Sequence, residues 1–191
     1  MSLYSELKTR LVKGKVAVLG VGDVKMCDDG VGPYVASTLH ELLPPLNNVK
    51  LINGSTVPEM YREEIVAFQP AHLVIIDAAD MKSEPGTVKI VEKESMRGFL
   101  PTSSHMLPMT LVVDWIQNEL PDVDVLLLAI QPASIHQVEE DLELAGDGDA
   151  FFDAVEEDPL KPFFRFSFTP KVDVGVKNVV QTLSKLLKTL K

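Results

Sequence analysis

The chain has 191 residues, 46% of them apolar, which suffices for one domain with a sizeable core and is short for two. Eighteen basic residues stand against 28 acidic ones, and a net charge of −10 excludes a nucleic-acid backbone or an anionic membrane surface as partner. The single cysteine, Cys27, leaves no internal disulfide to form, no apolar run approaches the ~20 residues of a membrane span, and the first ten residues lack the apolar core of a signal peptide, so a cytoplasmic protein is expected.

Leu3, Leu7 and Leu11 recur four apart behind Ser2, and Gly14 closes the segment, which predicts a short amphipathic helix over residues 2–13. KVAVLGVG (15–22) is a continuous apolar run closed by glycines, the pattern of a strand buried on both faces. From Gly30, Val31, Val35, Leu39 and Leu42 repeat near helical spacing; Pro33 suits a first turn and Pro44–Pro45 ends the element. VKLINGST (49–56) reads as a strand, PEMYREEIVAF (58–68) as a helix, and HLVIIDAAD (72–80) as a second buried strand. TVKIVEK (87–93) alternates and is therefore half exposed, PMTLVVDWIQNEL (108–120) is helical, and VDVLLLAIQP (123–132) is a third buried strand. An amphipathic helix over 172–190 closes the chain, with Thr169 as expected N-cap and Pro170 behind it. Strands alternating with helices predict an α/β fold: one domain over residues 1–191, a three-layer sandwich whose mostly parallel, twisted sheet is covered by helices on both faces.

An insertion at about residues 134–166 breaks the alternation. Within it, residues 139–158 include ten acidic side chains and no basic one, so the rest of the chain is electrically balanced. A solvated loop accounts for such a composition, while Phe151, Phe152 and Val155 supply apolar anchors that could fold it back.

In an open α/β sheet, ligands bind beyond the carboxyl ends of the strands, where strand order reverses. The polar residues expected there are Asp23, Asp28 and Asp29 after the first strand, Asn53 at the second, Asp77 and Asp80 at the third, and Gln131 at the last; His105 lies on a connection entering a helix. Each has a plainer role open to it. Asp28 or Asp29 can simply cap the helix that follows, Asp77 can end a strand, and His105 can be structural, as His40, His72 and His136 are read. Cys27 beside two carboxylates is a packing residue, since its thiolate is disfavoured there. The glycines of residues 20–33 do not form G-x-G-x-x-G, which argues against dinucleotide binding, and Ser103 and Ser104 stand in no G-x-S-x-G elbow.

Four motifs in this order and spacing, GVGDVKMCDDGVGP (20–33), HLVIIDAADM (72–81), TSSHMLPM (102–109) and LLLAIQP (126–132), resemble the maturation endopeptidases that process the large subunit of nickel-iron hydrogenases. The resemblance spans roughly residues 15–132 and resumes at the FTP that starts the last helix. It implies an aspartic-type endopeptidase that removes the C-terminal extension of a nickel-loaded precursor and reads the precursor's nickel as the mark of loading. By the same resemblance the metal contacts, and with them the catalytic residues, are Asp29, Asp77 and His105. Partners would be the precursor and its maturation chaperone. Aspartate rather than glutamate at position 29 is similar to the subgroup acting on hydrogenases of the formate-hydrogenlyase and energy-converting type. Two departures stand out: Asp23 occupies a position usually held by asparagine, and the acidic insertion replaces a much shorter connection. Two further readings stay open at this point, a Mg-dependent phospho-acceptor receiver domain with Asp77 as acceptor and Lys171 as its late lysine, and a non-catalytic module that senses nickel.

Overall fold

A computed structural model describes residues 2–96, the backbone of 100–101, and residues 108–135 and 167–190. His105 and the acidic stretch 139–158 lie outside the described residues. Helix α1 (Leu3–Arg10) starts where the Ser2 hydroxyl accepts the Ser5 N–H at 3.3 Å, and buries Leu7. Strand β1 (Val16–Val21) is buried at every position. A 3-10 turn (Cys27–Gly30) then leads into α2 (Val31–Leu42). Strand β2 (Val49–Ser55) is followed by another 3-10 turn (Pro58–Tyr61) and α3 (Arg62–Phe68), so the expected single helix over 58–68 is two pieces, tightened where Pro58 starts it. Strand β3 (His72–Asp80) and strand β4 (Val88–Glu92) are joined by a tight turn; α4 (Lys93–Met96) and the two-residue β5 (Leu100–Pro101) come next, too short to leave a periodic signal. Helix α5 (Met109–Glu119), strand β6 (Asp124–Ile130) and α6 (Pro170–Leu187) complete the described elements.

The sheet has the order β2-β1-β3-β6-β4, with β5 pairing antiparallel to the end of β3. The pairs β1–β2, β1–β3 and β3–β6 are parallel, and the edge strand β4 runs antiparallel against β6. Strand β4 is partly covered on both faces, Val88 and Ile90 packing toward one core and Val91 buried in the other, while Lys89 and Glu92 are exposed, which is why it reads as half exposed. The three continuous apolar runs occupy the three central places.

Alternate residues of the central strands feed two cores. Val16, Val18, Val74, Ile76, Leu126 and Leu128 meet α1, α2 and α6 on one face. Ala17, Leu19, Leu73, Ile75, Val125 and Leu127 meet α3 and α5 on the other. Opposite the carboxyl ends, at the amino ends of β3 and β6, Arg10 forks onto Asp124 (Nε to Oδ2 2.7 Å, Nη2 to Oδ1 2.5 Å) and reaches Glu92 at 2.5 Å. The His72 imidazole lies 3.1 Å from Asp124 Oδ2 and 3.0 Å from the Lys13 carbonyl, so the structural reading of His72 holds.

Candidate active site

The chain leaves β1, crosses through α2 to β2 on one side, and later enters β3 on the other side of β1. The strand order therefore reverses between β1 and β3, which is where an α/β sheet opens a crevice at its carboxyl edge. The 3-10 turn bearing Asp28 and Asp29 sits there, packed against β3.

Small residues make this approach possible. A Cβ on Gly32 would stand 2.2 Å from the Val21 carbonyl oxygen and 2.3 Å from that of Ile76, so only glycine lets the first turn of α2 touch both central strands. Gly22 leaves β1 at φ 140°, and a Cβ there would lie 1.9 Å from the carbonyl oxygen of Asp29. Asp29 is thus folded back over the end of β1, three residues before the contact with Ile76, and Asp77 is the residue that follows Ile76 in β3. The two carboxylates that the family resemblance singled out share one edge of the sheet, and both are buried, at 1% and 8% exposure.

The adjacent aspartates have different surroundings. Asp29 Oδ2 accepts the N–H of Asp23 at 2.8 Å, and its own N–H donates to Met26 O at 2.9 Å. Asp28 is fully buried: Oδ2 accepts the N–H groups of Ala133 and Ser134 and the hydroxyl of Thr169, each at 2.9 Å, while Oδ1 accepts the N–H of Thr169 at 2.8 Å. The plainer role left open for Asp28 or Asp29, capping the following helix, is not what the structure shows. No side chain caps α2, and the donors that reach Asp28 come from the loop after β6 and from the start of α6. Thr169 likewise precedes α6 as expected but does not cap it by its side chain, because its hydroxyl is donated to Asp28. Cys27 is buried with φ 45°, an uncommon conformation for a residue with a Cβ, and its Sγ lies 3.9 Å from Asp28 Oδ1.

Other polar residues of this edge shape loops. Asp23 Oδ1 accepts the Lys25 N–H at 2.9 Å, so the carboxylate standing in place of the usual asparagine organises its own turn. Asn53 donates to Ser37 Oγ at 3.0 Å and accepts the Ser55 N–H at 3.2 Å, beside a register irregularity between β1 and β2. Gln131, whose role sequence reading left unspecified, accepts the N–H groups of Met81 and Ser83 at 2.7 and 3.2 Å and donates to Asp80 Oδ1 at 3.3 Å. The Lys82 N–H, more than the Gln131 amide, holds the Asp80 carboxyl below its usual range, which ties Asp80 to the turn after β3. Lys171 Nζ, which a receiver domain would aim at the phosphate acceptor, instead lies on the surface 3.2 Å from Glu84 Oε2.

As for a metal, a carboxylate oxygen suits a divalent cation, and two carboxylates with one imidazole form an open donor set for a borderline ion such as nickel. Among the described residues no group of three or more His, Cys, Asp or Glu side chains could hold a metal ion, and Asp29 and Asp77 are two members of a set whose third, His105, lies outside them. The donor chemistry fits a metal that brings further ligands of its own.

A sequence model of the hydrogenase maturation protease family matches residues 33–145, a stretch that contains Asp77 and His105 and begins four residues after Asp29. A putative hydrogenase maturation protease of Methanocaldococcus jannaschii is 30% identical over 141 residues, covering 70% of this chain and 82% of that protein. The hydrogenase 3 maturation protease of Escherichia coli K12 is 30% identical over 115 residues, 60% of this chain and 71% of the relative. In structure, a NiFe hydrogenase maturation protease of Thermococcus kodakarensis superposes with a TM-score of 0.73 over 98% of this chain and all of that one, at 22% identity. The solution structure of an Escherichia coli endopeptidase gives 0.65 over 90% of each chain, at 24% identity. Both likenesses are of fold.

Proposed function

The chain belongs to the hydrogenase maturation protease family and is a hydrolase of that function; from this premise we propose that it removes the C-terminal extension of a nickel-iron hydrogenase large-subunit precursor once nickel has been inserted. Asp29, Asp77 and His105 are the residues proposed to meet the precursor's metal and the bond to be cut. The observation that supports them is the division of labour in the acidic pair: Asp28 is consumed by four donors from distant segments, while Asp29 stands at the strand-order reversal on the same sheet edge as Asp77.

Both carboxylates are acceptor-only groups when ionised, suited to a cation and to the proton of an attacking water. Asp29 is aimed by the Asp23 N–H, and Asp77 is held in register by the parallel ladder to β6, opposite Ala129. Nickel belongs to the substrate in this scheme, and it supplies the mark that distinguishes a loaded precursor from an empty one. The metal is thus read from the precursor, with or without its chaperone, and the reaction is placed in the cytoplasm. Among the described residues no helix is long and apolar enough to cross a membrane.

Incubation of the purified chain with a nickel-loaded precursor should release the C-terminal peptide, seen as a mass loss, and the nickel-free precursor should stay intact. Single changes Asp29→Ala, Asp77→Ala and His105→Ala should each abolish the cleavage while leaving circular dichroism unchanged. Full cleavage by a folded Asp77→Ala protein would overturn the site, and equal cleavage of loaded and empty precursor would overturn the nickel requirement.

A further inference from the structure

Among the described residues, four nitrogen and oxygen donors reach the Asp28 carboxylate, and all four lie more than a hundred positions away in sequence, beyond the neighbouring Cys27 thiol at 3.9 Å. The N–H groups of Ala133 and Ser134 and both donors of Thr169 converge on its carboxylate, and the Asp28 N–H returns a bond to the Ser134 carbonyl at 3.1 Å. Three segments that no local structure would hold together are joined at one buried side chain. That side chain is one peptide bond from Asp29, in a turn entered through Cys27 at φ 45°. A turn of four residues has little rigidity of its own, and α2 receives no side-chain cap that would fix its start. Among the described residues, the direction of Asp29 is set by the Asp23 N–H on its own carboxylate and by the Asp28 clamp behind it.

We propose that Asp28 is a positioning residue for the cleavage, acting through Asp29 without touching substrate: its carboxylate fixes the 3-10 turn against residues 133–134 and 169, and so fixes where Asp29 presents its oxygens. The proposal rests on the assignment of Asp29 given above. Asp28→Asn has nearly the same shape but replaces one acceptor by an NH2 that faces N–H and O–H donors, so the turn must rotate to relieve the clash. A displacement of about 1 Å at a reacting group costs about 100-fold in rate. The precursor is a whole protein whose surface supplies most of the binding, so the loss falls on turnover.

The test measures cleavage of the nickel-loaded precursor at a temperature well below the Tm of every variant, with the folded fraction of each determined. Asp28→Asn should lower kcat about 100-fold with KM unchanged. Thr169→Val, which removes one hydroxyl donor and keeps the backbone bond, should lower kcat about tenfold, and Thr169→Ser should restore it. Asp28→Asn with wild-type kcat per folded molecule and only a lower Tm overturns the proposal, since that is what a structural clamp gives. If Asp28→Asn does not fold, Thr169→Val decides in its place, and wild-type turnover there overturns the proposal equally. Full cleavage by Asp29→Ala overturns the site assignment and this proposal with it, whereas cleavage lost in Asp29→Ala and retained in folded Asp28→Asn overturns the proposal alone.

Discussion

At the scale of single residues, charged side chains serve two ends of the sheet in different ways. At the amino ends, the Arg10 guanidinium holds the Asp124 carboxyl below its usual range, with His72 adding to the effect. A carboxyl depressed in the folded state contributes stability above its unfolded pKa of about 3.9 and loses it as pH falls through the lower folded value. Asp124→Asn should therefore melt below wild type at pH 6, and the gap between the two melting curves should shrink as the pH falls through the depressed folded value of Asp124. A constant gap down to pH 2 would show that the pair acts through packing instead of charge. At the carboxyl ends, identity was legible and role was not. Asp28 and Asp29 stand in the same local sequence, so nothing near them says which is clamped; the donors come from residues 133, 134 and 169, which only the fold brings close. Thr169 misled for the same reason, since Thr-Pro before an amphipathic run reads as a cap wherever its hydroxyl finally points.

At the scale of elements, the three buried strands were legible because a strand covered on both faces must be apolar throughout, and such runs are rare elsewhere in the chain. What local pattern could not supply was contact distance. Gly32 reads in sequence as a helix residue with poor propensity, and in the fold it is the point where α2 meets the backbone of β1 and β3. Gly32→Ala puts a methyl against three backbone atoms that cannot turn aside, and overpacking of this kind costs about 1–3 kcal/mol. Its Tm should drop, and cleavage should fall further than stability does, because the same contact spaces Asp29 from Asp77. Gly54→Ala is the matched control: its nearest obstacle is the end of the Leu19 side chain, Cδ1 at 2.8 Å, and the nearest backbone atom, Gly20 O, stands at 3.2 Å against 2.2 Å at Gly32, so a smaller loss of Tm with cleavage retained is expected. Equal effects from the two changes would refute the spacing argument.

At the scale of the whole molecule, the net charge of −10 resides in residues 139–158, and the remainder is neutral. If that stretch meets a basic surface of the precursor, it should speed association at low salt, and exposed charges are screened beyond about 8 Å at physiological ionic strength. Deleting 139–158 should then slow precursor processing at low salt and flatten its salt dependence; identical processing by both proteins across the salt range would make the stretch a passive one. Layering of helices and sheet was legible from alternation alone, but strand order was not, since a pattern of β and α fixes which elements are neighbours in sequence and leaves their sequence across the sheet undetermined. The Asp28 knot has one more consequence at this scale. Ser134 N and Thr169 Oγ1 bond the same carboxylate oxygen, so two points 35 positions apart in the chain are pinned at one spot. Doubling a loop's length costs only about 0.6 kcal/mol in closure entropy, so the one carboxylate that holds residues 134 and 169 together would bear nearly the same entropic load at a different spacing along the chain.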